Sequence, residues 1–445
     1  MTKLSGNKPI LNLYGSSGVG KTALGKETRL KWPGKHISVD LREVMEMKDV
    51  YLRVMLAFDT KRTVLKYDEN PVIEQLQKVR EEGAGDILLI LDNVDPFCGG
   101  DDGDDAKSRN SSFICFLQRL LASKDNDGKT QLKVLLISRK MFRIEEETKK
   151  KKRDKTFSLN KAIHYKEVEA LKPGISTEIL QKAGGIPIMK GNETEKLVEL
   201  CKRKPLLLNG MAAILRQEIA DAETLVETIE QELVDGDPIG EEWDYGSEEI
   251  DKGELSCLRN MLFLLPSDAL RHSAVAVSLF CRPFTVEAAA FVLEADMSEA
   301  IILLEGLRNS KFLSVDPEAE ELVYDIHPLV RSFLRSFGSS AVFKQVNANA
   351  KRRFCDLYMT KIREMAAVLD KNYTSVFELF ELDKHNFELA LDNSFETGYL
   401  HFPQEYQDII MICHLLDAML VERQRRKIFK AWADVTVEDG KEGKK

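Results

Sequence analysis

Gly15-Ser16-Ser17-Gly18-Val19-Gly20-Lys21-Thr22 satisfies the spacing G-x-x-x-x-G-K-[ST] at every position. Residue types in this pattern hold phosphate. The glycines permit backbone conformations that turn successive N–H groups toward one anion. Lys21 is placed to reach the β- and γ-phosphates, and the Thr22 hydroxyl to ligate Mg²⁺. Ser16, Ser17, Val19 and Ala23 line the same loop and its first helical turn. An apolar run, Ile10–Tyr14, precedes the motif and a helical pattern follows it. That helix aims its positive N-terminal end at the bound anion.

A phosphate site needs a metal partner. "ILLILDNVD" supplies Asp92 at the end of an apolar run. Ligands of open α/β sheets sit at the carboxyl ends of strands, so Asp92 is expected to face the phosphate loop and hold Mg²⁺. Rapid ATPases often carry a glutamate at the next position to activate the attacking water. Here it is Asn93, which cannot act as a base; Asp95, two residues further on, is the candidate substitute. This favours tight binding and slow hydrolysis. A third run, "VLLISRK", ends in Ser138-Arg139, and a cation there can sense or neutralise the γ-phosphate. No NKxD segment signals guanine, which leaves adenine as the base.

These residues need a scaffold. Ile10–Tyr14, His36–Asp40, Ile87–Asp92 and Lys133–Ser138 are short apolar runs separated by helical patterns such as "VIEQLQKVREE". Two of them are almost continuously apolar, as expected for strands buried on both faces of a parallel sheet. The fold class is therefore a three-layer α/β nucleotide-binding domain over residues 1–160. One more strand, "AIHYKEVEAL", precedes a helical domain over 161–249, in which Pro205 breaks an apolar pattern. Residues 250–338 read as three helices plus a hairpin, "KFLSVDPEAEELVYDI", which is the winged-helix pattern. Residues 339–445 are helical in period and end in a polar tail.

The chain has 445 residues and a net charge of -9. The acidic total disfavours nucleic acid as a partner. The seven cysteines show no metal-binding or redox spacing. No apolar run of signal-peptide or membrane-spanning length occurs, so the expected location is cytoplasmic. Two charged stretches, Cys98–Ser108 (acidic) and Lys149–Lys155 (basic), read as solvated segments. Asp235–Glu249 reads as a linker.

Taken in order, the motifs resemble the NB-ARC domain of the STAND class of P-loop NTPases. The group includes plant disease-resistance proteins, apoptosome scaffolds and tetratricopeptide-linked relatives. "GSSGVGKTALG", "LLILDNVD" and "LLISR" resemble its phosphate loop, metal-binding strand and first sensor. "CKRKPLLLNGMAAIL" resembles the helix whose proline packs beside adenine, which implies that role for Pro205. Arg203 stands where a glycine is common. "YDIHPLVRSFL" resembles the segment whose histidine touches the ADP β-phosphate, which implies a latch at His327; Pro328 replaces the aspartate that usually follows. "FELDKHNFELALD" resembles the helix leading into tetratricopeptide repeats, with 339–445 as their possible start. Members commonly carry an N-terminal effector domain, whereas here fourteen residues precede the loop.

The resemblance implies an ADP/ATP-binding switch. Nucleotide exchange and slow hydrolysis would control opening and homo-oligomerisation, with protein partners in innate-immune or cell-death signalling. The runner-up is an active ATPase or small-molecule kinase. A third reading, a DNA-binding winged helix, finds little support in candidate helices such as "VEAAAFVL", which are apolar rather than basic.

Overall fold

Five short segments, three of them rich in Leu, Ile and Val, form one parallel sheet: β1 Ile10–Tyr14, β2 His36–Asp40, β3 Ile87–Asp92, β4 Leu132–Ser138 and β5 Ile163–Glu167. Their order is β2-β3-β4-β1-β5. Side chains alternate between two cores. Leu89, Leu91, Val134 and Leu136 enter one face, while Leu88, Ile90, Leu135 and Ile137 enter the other. Burial of both faces explains why β3 and β4 lack the polar alternation of a half-exposed strand.

The computed structural model describes residues 8–58, 69–81, 86–100, 103–122, 132–144, 159–185, 192–235, 251–315, 321–396 and 406–420. The basic run 149–155, nearly all of the linker 235–249, the hairpin turn 316–320 and the polar tail lie outside them. No helix among the described residues is long and apolar enough to cross a membrane.

Two compact units divide the chain: Met1–Leu171 with Lys204–Leu206, and Lys172–Arg203 with Leu207–Lys445. Because β5 pairs along β1, the sheet-bearing unit runs past residue 160. Helices α1 Lys21–Leu30, α2 Met47–Phe58, α3 Glu69–Glu81 and α4 Asp104–Ala122 connect its strands, with a short α5, Leu159–Ala162, before β5. Gly25 lets α1 lie close on the sheet, since a Cβ there would stand 2.6 Å from Ile137 Cδ1. The acidic stretch expected to be solvated loop is helical from Asp104. Asp104 and Asp105 occupy the first turn of α4, where carboxylates complement the helix dipole.

The second unit begins with α6 Pro173–Gly184, α7 Asn192–Leu200, α8 Pro205–Arg216 from Leu207 onward, and α9 Ala222–Asp235, followed by α10 Lys252–Phe263. The described residues then carry the helices and hairpin strands of the winged-helix pattern: α11 Asp268–Val277, β6 Phe284–Thr285, α12 Val286–Leu293, α13 Met297–Asn309, β7 Leu313–Val315, β8 Val323–Ile326 and α14 Pro328–Gly338. β6, too short to read in the sequence, completes an antiparallel sheet of order β6-β8-β7. Buried Arg331 on α14 donates to the carbonyls of Cys281 and Ile326 at 2.8 and 3.1 Å, which satisfies a turn that water does not reach.

Three helices follow: α15 Lys344–Val368, α16 Tyr373–Glu396 and α17 Tyr406–Met419. The "DKHN" segment has a structural task here. The fully buried Asn386 Oδ1 accepts from the Cys281 N–H at 2.7 Å and so ties α16 to the winged helix.

Candidate functional site

Strand order sets the site. β4 lies between β1, which leads into the phosphate loop, and β3, which ends in Asp92. The carboxyl ends of all three strands therefore open on one edge, with Arg139 between the loop and Asp92. The register confirms the level: Tyr14 pairs with Ser138, and Asp92 with Ile137. Gly15 N–H donates to the Arg139 carbonyl at 3.1 Å, which fixes the start of the loop against the end of β4.

The loop has the backbone its glycines require. Gly15, Gly18 and Gly20 adopt φ values of 152°, 80° and 98°. At Gly15 a Cβ would also stand 2.4 Å from the Val168 carbonyl oxygen, so no larger residue fits without moving the loop. Lys21 Nζ donates to the carbonyls of Gly15 and Ser16 at 2.7 and 2.8 Å, arching over the turn. Gly20 caps α1 with no side-chain hydrogen bond, and the first turn holds no acidic residue. The first N–H groups of a helix have no intrahelical acceptor. This is an arrangement that fits an anionic phosphate.

Thr22 and Asp92 meet. Their side chains are hydrogen-bonded, and the Asn93 N–H donates to Asp92 Oδ1 at 2.9 Å. A hydroxyl beside a strand-end carboxylate is the oxygen donor set that Mg²⁺ takes. Burial, then repulsion from Asp40, raises the Asp92 pKa to about 6. Without metal, the fold thus favours the protonated form. This contribution to stability is present at pH below about 4 and is lost as pH rises through about 6. The stability of the wild-type chain relative to Asp92→Asn should fall between those limits. Urea unfolding of both proteins at pH 4.5 and 7 checks it, and a pH-independent difference would contradict it.

Pro205 lies beside the loop. Its Cγ would stand 3.8 Å from a Cβ on Gly20, and the Leu206 N–H donates to the Gly18 carbonyl at 3.3 Å. Before it, Lys202 and Arg203 both have positive φ, 50° and 54°. The Arg203 backbone is left-handed, which explains why glycine suits that position. His327 lies in the second unit at the N-cap of α14, where its Nδ1 accepts from the Leu329 N–H at 3.2 Å.

Residues 11–159 match the family model of the ATPase family associated with various cellular activities, AAA. The match covers about a third of the chain and supports a P-loop ATPase domain over this segment. No curated protein matches the chain. Solved structures with similarity include the Aeropyrum pernix ORC2 protein with ADPNP and ADP, at 13% identity and TM-score 0.29, covering 76% of this chain and 91% of that one. The Aeropyrum pernix ORC1 protein in complex with DNA gives 12%, 0.32, 77% and 90%. CDC6P from Pyrobaculum aerophilum gives 14%, 0.29, 73% and 87%. Similarity at this level carries no functional assignment. The narrower NB-ARC grouping rests on the quoted motifs alone.

Within the sheet-bearing domain, Asp95 does not stand apart as a carboxylate waiting for water. It sits in a turn of 3₁₀ helix, Asp95–Phe97, and its Oδ1 accepts from the Arg139 N–H at 2.6 Å. The Arg139 Nε lies 3.5 Å from the same oxygen. Asp95 thereby holds Arg139 at the end of β4. Sequence reasoning also passed over Asn12. It is fully buried in β1, and its Nδ2 donates to Ser138 Oγ at 3.0 Å. Its Oδ1 accepts from the Phe142 N–H at 3.0 Å. The signal was one amide inside "ILNLY", an otherwise apolar strand. Asn12 fastens the loop that follows β4 and so positions Arg139.

Proposed function

We propose that this chain is an adenine-nucleotide-controlled switch, with Mg²⁺ as cofactor and slow ATP hydrolysis as the reset. Gly15–Ala23 cradle the phosphates, Lys21 reaches the β- and γ-phosphates, and Thr22 and Asp92 hold the metal. Arg139 reads the γ-phosphate and Pro205 packs beside the adenine.

The observation that carries the reading is the Leu206 N–H bonded to the Gly18 carbonyl. Pro205 and Leu206, grouped with the sheet-bearing unit, therefore sit on the phosphate loop, so a change in loop occupancy reaches them directly. A dedicated kinase or fast ATPase has no need of that coupling. Asn93 also speaks for slow turnover, since its neutral amide stands where a base would be. Fast ATPases and kinases run at roughly 1–100 s⁻¹.

On this reading His327 is the latch of the ADP state, and exchange for ATP loosens it. A ligand shifts such an equilibrium only through its difference in affinity for the two states. His327→Ala removes the cap of α14 as well, so His327→Asn, which retains a capping oxygen, separates the roles. Both variants should release ADP about tenfold faster in stopped-flow displacement. An unchanged ADP off-rate in both would exclude the latch. Bound ADP in the purified chain, identified by mass spectrometry, is the expected resting state. A chain that binds neither ADP nor ATP, or that sustains fast turnover without change of state, would overturn the switch.

A further inference from the structure

We propose that Asp40, at the end of β2, supplies the carboxylate that orients the water attacking ATP, the part Asn93 cannot play. The inference rests on the reading of this site as one that binds and hydrolyses ATP.

Three carboxylates stand at the carboxyl ends of β2 and β3 and in the turn that follows β3. Asp92 is bonded to Thr22 and belongs with the metal. Asp95 is bonded to Arg139. Asp40 is paired in register with Asp92 across β2 and β3, and the Leu41 N–H donates to the Asp92 carbonyl at 2.8 Å. It therefore stands at the level of the metal site, one strand further out.

The neighbours of Asp40 aim it. Asn93 has φ 62°, a left-handed conformation that asparagine tolerates. Its Nδ2 donates to Asp40 Oδ1 at 2.8 Å. The Arg42 N–H donates to the same oxygen at 2.9 Å, and Arg42 Nη2 lies 3.4 Å from Oδ2. The amide that replaces the usual glutamate thus points to a carboxylate on the adjacent strand. A water bound to Asp40 must compete with the Asn93 amide, which accounts for turnover that is slow rather than absent.

The step balances simply. The water oxygen bonds to the γ-phosphorus as the bond from that phosphorus to the β–γ bridging oxygen breaks. Asp40 takes the water proton and returns it to a phosphate oxygen, leaving ADP and inorganic phosphate.

The test measures phosphate release and ATP affinity in the full chain with Mg²⁺. Wild type should release phosphate slowly. Asp40→Asn should lower release about 100-fold, within the range of general base catalysis, with ATP affinity unchanged. Asp40→Asn combined with Asn93→Glu should restore it by returning a carboxylate beside Asp92. Release at the wild-type rate from Asp40→Asn would overturn the proposal. So would loss of ATP binding in that variant, or a wild-type chain that binds ATP and releases no phosphate. A wild-type chain that binds no ATP fails on the underlying reading instead, which separates the two.

Discussion

The Lys21→Ala protein should lose affinity for both ADP and ATP by at least about 100-fold. Lys21 Nζ spans the loop and donates to the Gly15 and Ser16 carbonyls. It is therefore already held over the place where phosphate oxygens bind, and little ordering remains to be done on binding. Hydrogen bonds to charged groups contribute about 1.5–3 kcal/mol each. Loss of one or two, with the charge, gives a factor of this order. Alanine is a strong helix former at the start of α1, so the fold should survive. Isothermal titration with each nucleotide measures the loss, and circular dichroism verifies the fold. Unchanged ADP affinity would remove the phosphate loop from the account.

The second large effect is expected at a residue that touches no nucleotide. Asn12→Leu should destabilise the sheet-bearing domain by about 2–4 kcal/mol. Leucine is close in size but offers neither donor nor acceptor. The Phe142 N–H, bonded to Asn12 Oδ1, would be left buried without its partner, and Ser138 Oγ would lose its bond from Nδ2. Both groups belong to the end of β4 and the loop after it. Arg139 should lose its fixed position, and discrimination between ATP and ADP should narrow. Hydrogen exchange of β1 and β4 amides tests the first consequence, and paired titrations test the second. Wild-type protection in both strands would show that the network is dispensable.

The sheet was legible because burial on both faces leaves a strong mark. "ILLILD" and "KVLLIS" contain too little polarity to be anything but interior strands. The phosphate loop was legible because its glycines answer a backbone requirement that no other residue meets, as φ 98° at Gly20 shows. The winged helix was legible from its hairpin, although β6, with two residues, was too short to leave a pattern. Polar partnerships were hidden. Nothing in the spacing of Asp40, Asn93 and Arg42 reveals that β2 lies beside β3, because strand order is set by crossovers. Asp95 showed the right residue type in the right turn, but the bond to Arg139 crosses between strands. The acidic start of α4 resembled a loop because aspartate suits both turns and the positive end of a helix.

The central claim is that the identity of the nucleotide sets the state of the chain. The most direct measurement is light scattering combined with small-angle X-ray scattering on the full chain. One sample holds saturating ADP and Mg²⁺, the other a non-hydrolysable ATP analogue and Mg²⁺, with binding of both verified by titration. The switch predicts a compact monomer with ADP and an expanded or oligomeric form with the analogue. The same radius and mass in both samples, with both nucleotides bound, would contradict it.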